Sequence, residues 1–396
     1  MTNPKIRFKQ ENCIDFPEWN QLQLNECCNC YDNMRKPIKE NLRQKGEYPY
    51  YGANGIQDYI DSYIFDGEFI LLAEDGGNFN NFQSKAIAKY ARGKFWVNNH
   101  AHIIQAKREF SNKFIFYSIE HKDIRSYING STRGKLTKSD MWNIKIGVPS
   151  SIREQQKIAS FFSTLDQKIE LNERKLEALE KLKKGLMQKI FNQEIRFKSK
   201  SGKNFPNWIK KPLHSVIASS GGHTPNMKNK ALWEPGEYFW VTPKDMKSEY
   251  VFSSEMKISE LGLKELKLHE PGTILLVARS GVLKHTLPLS FLKIQATINQ
   301  DLKAISVTDE MISGYLFFFL QSKSNLILNN YVKTGTTVQS IMMNDFYAMM
   351  VDIPCLEEQR QIAATLFIFN EKIGIMTQKI ALLKQLKQGF MQQMFV

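Results

Sequence analysis

One long helix with an apolar stripe occurs twice in this chain of 396 residues. The first copy begins "REQQKIASFFSTLDQKIE" at Arg153, and the second begins "EEQRQIAATLFIFNEKIG" at Glu357. Apolar residues recur in both copies at alternating spacings of four and three for about five heptads, a pattern typical of a coiled coil. The predicted seam consists of Ile158, Phe162, Leu165, Ile169, Leu176, Leu179, Ile362, Leu366, Phe369, Ile373, Ile380 and Leu383.

Such a long seam needs a partner, and the nearest one is the other copy, although packing of each helix on its own domain stays open. The stretch between the copies is long enough for a domain, and the termini of a domain are often neighbours. We therefore expect the helices to be antiparallel, with pseudo-two-fold symmetry. In that register Gly185 and Gly389 face alanines of the other helix, which predicts close backbone contact. Ser151 and Glu154 predict a capping box at the first helix.

The stretches that precede the two helices are related to each other, but only weakly. "FPEWNQLQL" from Phe16 matches "FPNWIKKPL" from Phe205. "DGEFILLAEDGG" from Asp66 matches "EPGTILLVARSG" from Glu270. A period of about 200 residues is too long for a solenoid and indicates a duplicated domain.

Both domains combine strand and helix patterns. Residues 69–74 and 273–278 are short apolar runs bounded by glycines, whereas 112–128 and 309–330 have helical spacing. We predict two copies of an α/β (mixed α+β) domain, joined by a long antiparallel two-helix coiled coil. The predicted organisation is a domain at 1–150, a helix at 151–195, a second domain at 196–353 and a second helix at 354–396.

The chain is strongly basic, with a formal net charge of +14 and a pI of about 9.3. A protein of this charge is attracted to polyanions such as nucleic acid, although charge alone leaves a merely basic protein equally open. The N-terminus lacks the apolar core of a secretory signal, and the longest apolar runs are far shorter than the ~20 residues of a membrane span. We therefore expect a cytoplasmic protein.

Motifs for catalysis and metal binding are missing from the sequence. It contains no P-loop, no H-E-x-x-H, no G-x-S-x-G and no Pro-Pro pair for an amino-methyltransferase motif. Cys27, Cys28 and Cys30 lack a second pair at zinc-site spacing, so we interpret them as reduced thiols. We interpret His100 and His102 as polar surface residues of a strand. The sequence thus predicts neither catalysis nor a metal site.

Two polar glycine turns are the best candidates for a binding surface. "NGSTRGKLTKSD" from Asn129 has a counterpart in "TGTTVQS" from Thr334. Amide and guanidinium side chains read base edges, whereas hydroxyls and Lys mostly hold phosphate. A loop that is polar only because it is exposed is the competing interpretation.

The duplicated motifs resemble the DNA-specificity subunit of Type I restriction–modification enzymes over the whole chain. The resemblance rests on the helix copies from "PSSIREQQKIA" and "PCLEEQRQIAA", and on "PYYGANGI", "GGHTPN" and "FWVTPKDM". It implies that each domain reads one half of a bipartite asymmetric target in double-stranded DNA. The implied DNA contacts are Asn129, Ser131, Thr132, Arg133, Lys135, His223, Thr224, Lys244, Arg279, Thr336, Thr337 and Gln339.

The same resemblance implies the partners of the chain. Two modification (methyltransferase) subunits would dock on the helices, which set the spacer between the half-sites, and two restriction (motor-nuclease) subunits would complete the complex. S-adenosylmethionine, ATP and Mg would bind those partners, and this chain would bind no cofactor. The first domain departs from the family pattern, because "AEDGG" stands where "ARSG" stands in the second. This difference argues against one shared DNA role for Asp75 and Arg279.

Two other classes of protein stay open at this point. One is a coiled-coil scaffold with two ligand-binding domains and no role in DNA binding. The other is a self-contained restriction enzyme, which the missing methyltransferase and nuclease motifs disfavour.

Overall fold

The computed structural model describes residues 4–11, 13–130, 134–333 and 338–395. The chain forms two compact units. The first comprises Met1–Arg174 and Gln378–Val396, and the second comprises Lys175–Thr377. Each unit thus contains one of the domains and a part of both long helices. None of the described helices has the length and hydropathy of a membrane-spanning segment.

The domain of the first unit is built on a six-stranded sheet with the order β2-β7-β5-β6-β3-β4. Its central strand β5 contains the predicted run 69–74 up to Ala73, and five of its residues in sequence are buried. The predicted helix at 112–128 ends earlier, at Glu120. The elements are β1 (Trp19–Gln23), α1 (Leu24–Cys27), β2 (Cys28–Cys30), β3 (Lys45–Gly52), β4 (Gly55–Ile60), β5 (Phe65–Ala73), β6 (Ala88–Val97), β7 (Ala101–Ala106), α2 (Asn112–Glu120), α3 (Lys138–Trp142) and β8 (Lys145–Pro149).

The long helix α4 (Ile152–Phe191) follows, and the domain of the second unit comes after it. Its largest sheet has five strands in the order β10-β17-β14-β15-β12, and a three-stranded sheet has the order β13-β11-β16. The predicted helix at 309–330 is divided into two helices, α6 and α7. The elements are β9 (Ile209–Pro212), β10 (Ile217–Gly221), β11 (Tyr238–Val241), β12 (Tyr250–Val251), β13 (Met256–Ile258), α5 (Glu260–Leu263), β14 (Ile274–Val277), β15 (Leu289–Leu292), β16 (Ala296–Ile298), β17 (Leu302–Val307), α6 (Ser313–Ser322), α7 (Ser324–Tyr331), β18 (Val332–Lys333), β19 (Ser340–Ile341), α8 (Met343–Ala348) and β20 (Met350–Ile353).

The second long helix, α9 (Leu356–Met394), packs against α4 in the antiparallel direction that the sequence predicted. In the first unit the ring of Phe161 lies 5.1 Å from that of Phe390, near the start of α4 and the end of α9. Further along α4, Glu173 pairs with Lys384 at 2.7 Å. A later residue of α4 thus contacts an earlier residue of α9, which is the pattern of antiparallel helices. The prediction of an antiparallel pair is therefore confirmed within this unit.

None of the predicted seam residues is exposed, and those near the start of each helix pack into the core of a domain: Ile158 and Phe162 in the first unit, Ile362 and Leu366 in the second. Seven are buried, namely Ile158, Phe162, Ile169, Ile362, Leu366, Ile380 and Leu383. The other five are half-buried, namely Leu165, Leu176, Leu179, Phe369 and Ile373. The seam is therefore apolar along both helices, as the heptad pattern requires.

The first turn of each long helix is bound to its own domain by a buried Glu-Gln pair. In α4 the Glu154 carboxylate is fully buried and accepts hydrogen bonds from Arg7 and from the Trp19 indole. Gln155 donates to the Pro149 carbonyl and accepts from the Ser111 N–H. The Glu154 side chain thus points toward its domain.

The start of α9 has the same contacts in the second unit. Glu358 accepts from Arg196 and Trp208, and Gln359 bonds to the Pro354 carbonyl and the Ile312 N–H. Both helices are therefore attached to their domains by the same residue types. The near-identity of the two helix sequences is in part a requirement of the fold of each unit.

Two details of the sequence interpretation are wrong. Among the described residues, Ser151 and Glu154 form no reciprocal capping box, because the Glu154 carboxylate binds Arg7 and Trp19 instead. A Cβ atom added to Gly185 or Gly389 would meet no described atom within 4 Å. These glycines therefore do not mark a close approach of the two helices.

Candidate nucleic-acid interface

The described candidate residues of the second unit lie around the turn at 299–301, which follows strand β16. Val241 at the end of β11 accepts a hydrogen bond from Asn299, and Arg279 beyond the end of β14 donates its N–H to Asp301. These bonds bring the ends of β11, β14 and β16 to one edge of the domain. A set of strand ends and connecting loops at one edge is a common place for binding residues, because the sheet fixes their backbone.

Four exposed or half-exposed candidate side chains belong to the loops at this edge. The N–H of His223 binds the carbonyl of Ile298, and the Thr224 hydroxyl binds the Gln300 side chain. Lys244 is exposed three residues after the end of β11, and Arg279 is exposed beyond β14. The edge thus presents a guanidinium, an ammonium, an imidazole and a hydroxyl, which together suit phosphates and base edges.

A glycine keeps this surface in place. A Cβ atom on Gly222 would lie 2.0 Å from the carbonyl oxygen of Ile298 and 2.2 Å from that of Asn299. Only glycine therefore allows the loop that carries His223 and Thr224 to pass this close to the turn.

Gln339 differs from the other candidates of the second unit. Its main-chain carbonyl accepts a hydrogen bond from the Ser280 N–H, which attaches the second polar turn to the loop after β14. Its side chain is only 2% exposed and lies inside the fold. Thr336 and Thr337 of the same turn lie outside the described residues. Their contact with DNA stays a prediction, as does that of Gln339.

The described candidate residues of the first unit are Asn129 and Lys135, at the two ends of the predicted polar turn. These two residues exchange main-chain hydrogen bonds at 2.8 Å, and both are exposed. The Asn129 side chain donates to Asp140, and the Lys135 ammonium lies 3.5 Å from the Glu74 carboxylate. The predicted contacts between them, Ser131, Thr132 and Arg133, lie outside the described residues.

Both units use the same hydrogen-bond frame at this edge. In the first unit Glu74 donates to the His100 carbonyl, and Leu136 donates to the Glu74 carbonyl. Four main-chain bonds correspond between the units, each written with the N–H donor first. In the first unit they are Glu74–His100, Leu136–Glu74, Gly76–Gly134 and Asn98–Tyr51. Their counterparts in the second unit, in the same order, are Ala278–Asp301, Ile341–Ala278, Ser280–Gln339 and Asn299–Val241. Asp75 therefore stands where Arg279 stands, and His100 stands where Asp301 stands.

A buried ionic cluster supports the first surface, and the sequence interpretation missed it. His102 is 1% exposed, so its interpretation as a surface residue is wrong. Its Nδ1 lies 2.6 Å from the Asp32 carboxylate and its Nε2 lies 2.9 Å from the carbonyl of Leu136. Burial alone would raise the pKa of Asp32, but the hydrogen bond and charge of His102, with Arg35, lower it. Through the Leu136 carbonyl, the cluster fixes the segment between Lys135 and helix α3.

The same cluster has the donor types of a metal site. Asp32, Glu74 and His102 place one ligand atom each within 4.8 Å of one another. Arg35 lies among them, with its guanidinium 2.5 Å from Glu74 and 3.3 Å from Asp32. Arg35 already supplies the positive charge that a cation would bring. The clustering of the two carboxylates and His102 is therefore explained without a metal ion. The Cys27 and Cys28 thiols are buried elsewhere, and burial raises the pKa of Cys27 to about 12.

The fold and these surfaces define a protein of two related mixed α/β domains, each attached to a long heptad helix and carrying a polar surface at an equivalent edge. The model of the Type I restriction modification DNA specificity domain matches residues 17–181 and 206–385. The chain belongs to this family.

Individual relatives agree with the family. The chain is 39% identical over 140 residues to the Haemophilus influenzae protein S.HindORF215P, described as a type I restriction enzyme specificity subunit. It is 32% identical over 180 residues to the Escherichia coli EcoR124I/EcoR124II specificity subunit. These alignments span 35% and 45% of this chain and the same shares of the relatives' lengths, so the chain matches less than half of each relative.

A solved structure shows that the fold of the whole chain is shared. The crystal structure of the S subunit of a Type I restriction–modification system from M. genitalium superposes with a TM-score of 0.69. The superposition covers 100% of this chain and 99% of that chain, at 14% sequence identity. At this identity the likeness concerns the fold alone.

Proposed function

We propose that this chain is the sequence-specific DNA-binding subunit of a Type I restriction–modification complex. The domains predicted at 1–150 and 196–353 each read one half of a bipartite asymmetric target in double-stranded DNA. The observation that carries the proposal is the pair of equivalent surfaces, which share a hydrogen-bond frame but present different side chains. A shared frame with different side chains suits two domains that bind the same kind of ligand, DNA, but recognise different base sequences in it.

The candidate contacts divide by chemistry. Arg279 suits the O6 and N7 acceptors of guanine, whereas Asn129 has the amide chemistry that pairs with adenine. Lys135, Lys244, Thr224 and His223 suit phosphate contacts, which set affinity and orientation and not sequence. The net charge of +14 supports a polyanionic partner.

The long helices have the second role, which is to set the spacer between half-sites and to dock the modification subunits. Both helices keep large apolar side chains on their exposed sides. Those more than 40% exposed on α4 and α9 are Leu171, Leu182, Ile368, Ile375, Leu382 and Leu386. Exposed apolar residues at helical spacing suit helices of a partner protein.

The chain contributes recognition and no catalysis in this proposal. Two modification subunits and two restriction subunits supply methyl transfer, translocation and cleavage in the cytoplasm. They would also bind S-adenosylmethionine, ATP and Mg. The missing methyltransferase and nuclease motifs, and the names of the relatives as specificity subunits, support this division of roles.

Methylome sequencing tests the proposal. A strain that carries this chain with its modification subunit should gain one methylated bipartite motif with an unread spacer of fixed length. A strain without the chain should lack that motif. If the two methylomes are the same, the chain does not direct modification. As a second test, affinity for the motif should fall steeply as salt rises, because bound counterions are released.

A further inference from the structure

We infer that the Asp75–His100 pair is a base-reading element of the first unit, and that Asp75 selects a cytosine in the first half-site. This inference rests on the proposed function and names one contact of the surface described above. The matching position in the second unit is Arg279. The two domains would thus read at the same place with groups of opposite charge.

The backbone places Asp75 on the candidate surface. It follows directly after Glu74, whose carbonyl binds Leu136, and Gly76 donates its N–H to Gly134 at 3.2 Å. Asp75 thereby lies between the end of β5 and the polar turn of the first unit. The equivalent bonds of Ala278 and Ser280 place Arg279 in the same way.

The Asp75 carboxylate is oriented by His100. The Nδ1 atom of His100 lies 2.8 Å and 3.0 Å from the two carboxylate oxygens. Because an ionised carboxylate only accepts, Nδ1 carries the hydrogen of this bond. A carboxylate has about four acceptor sites, so it can accept from a base while it is held by other groups. The Asp75 side chain is 21% exposed and that of His100 is 35% exposed, so both reach solvent.

The pair lies in a cleft lined by polar side chains. The cleft has a volume of about 310 Å³, and its lining includes Asn54 and Gln57 of the β3–β4 hairpin together with Asp75 and His100. Asn54 donates to the carbonyl of Gly76, which ties the hairpin tip to the loop that holds Asp75. The cleft thus combines a carboxylate, which can accept from cytosine N4, with amides, which can bind adenine by two hydrogen bonds.

The chemistry of a carboxylate selects the base. A negative group is repelled by phosphates and by the carbonyl oxygens of guanine and thymine. On a base edge it therefore forms a favourable hydrogen bond only with an amino group, which donates to it. Adenine has its N7 acceptor next to the amino group, whereas cytosine has a neutral C–H there. Asp75 therefore favours cytosine N4 in the major groove.

The test uses the complete complex of this chain with its modification subunits. Duplexes with the methylome-defined motif are changed at each base pair of both half-sites in turn, and the methylation rate is measured for wild type and Asp75→Asn. Wild type should prefer C·G at one pair of the first half by about tenfold or more. In Asp75→Asn this preference should fall to about twofold or move to adenine, which an amide reads. The second half should be unchanged.

Asp123→Asn is the matched control, because Asp123 is an exposed carboxylate of the same unit that binds Arg125 at 2.7 Å. It should leave every preference unchanged. An equal loss of rate on all duplexes in Asp75→Asn would show a role in folding only and would overturn the inference, as would a retained preference for C·G. If wild type has no bipartite motif at all, the proposed function fails instead.

Discussion

Arg196 donates two hydrogen bonds, at 3.1 Å and 2.7 Å, to the fully buried carboxylate of Glu358 in the first turn of α9. Arg7 binds Glu154 of α4 in the same way, at 3.0 Å and 2.8 Å. In both units the arginine comes from the segment that precedes the first strand of the domain, β1 or β9. The buried ion pair therefore connects that segment, the domain and the long helix.

Loss of this arginine should destabilise the second unit. In Arg196→Met the buried Glu358 carboxylate loses its cation. Removal of one partner from a buried ion pair lowers the free energy of unfolding by about 3 kcal/mol. Thermal denaturation measures the effect. Arg360→Met is the control, because Arg360 is exposed on the same helix turn. Equal melting temperatures for the two variants would contradict a stabilising role of the pair.

Lys387 interrupts the seam of α9 for an electrostatic reason. Its ammonium lies 2.9 Å from Glu120 of α2 and 2.7 Å from Asp166 of α4. Burial alone would lower the pKa of Lys387, but these two carboxylates outweigh burial and raise it. The lysine thus joins both long helices to the domain of the first unit.

Lys387→Met should therefore reduce the free energy of unfolding by about 2 kcal/mol, because two carboxylates lose their shared cation. Lys384→Met should cost less than about 1 kcal/mol, since its pair with Glu173 is exposed. A raised pKa stabilises the fold below the unfolded value of about 10.4, and this contribution is lost as pH rises through the folded pKa. Urea titrations between neutral and alkaline pH should show the gap between wild type and Lys387→Met narrowing. A gap that widens would contradict the assignment.

A single methyl group at Gly222 should damage the second surface. The added Cβ of Gly222→Ala would clash with the carbonyl oxygens of Ile298 and Asn299, so the loop with His223 and Thr224 must move. We expect a loss of recognition of the second half-site of at least about tenfold in a methylation assay. Gly281→Ala is the control, because its Cβ would meet no described atom within 4 Å. Equal activity of both variants would show that the loop does not contribute.

The open space around Gly185 and Gly389 predicts a gain in stability. Both glycines are half-buried, and each has room for a methyl group. Alanine in place of glycine inside a helix stabilises it by up to about 1 kcal/mol where the methyl group fits. Gly185→Ala and Gly389→Ala should each raise the melting temperature. A lower melting temperature would contradict this prediction and would indicate that these glycines lie at a close contact between helices.

The periodic parts of the fold could be predicted from the sequence. The seam from Ile158 to Leu383 follows from the heptad spacing, which is a local property of the chain. The strands around 69–74 and 273–278 are likewise recognisable as apolar runs between glycines. The antiparallel direction needed only the order of the elements and the length of the domain between them.

Contacts between distant residues could not be predicted. The sequence places Glu154 in a local helix cap, but its carboxylate accepts a hydrogen bond from Arg7, 147 residues earlier in the chain. His102 looked exposed on an alternating strand, but the fold brings Asp32 and the Leu136 carbonyl to its two ring nitrogens. The sequence match already equates Asp75 with Arg279, but the hydrogen bonds that place each of them beside a polar segment about 60 residues further along the chain could not be predicted from it.

Exchange of one domain tests whether each domain reads its own half-site. Residues 196–353 are replaced with the corresponding domain of a family member whose motif is known, and the methylome is sequenced. We expect a hybrid motif that keeps the first half and takes the second half from the donor domain. A change in the first half, or an unchanged second half, would contradict it.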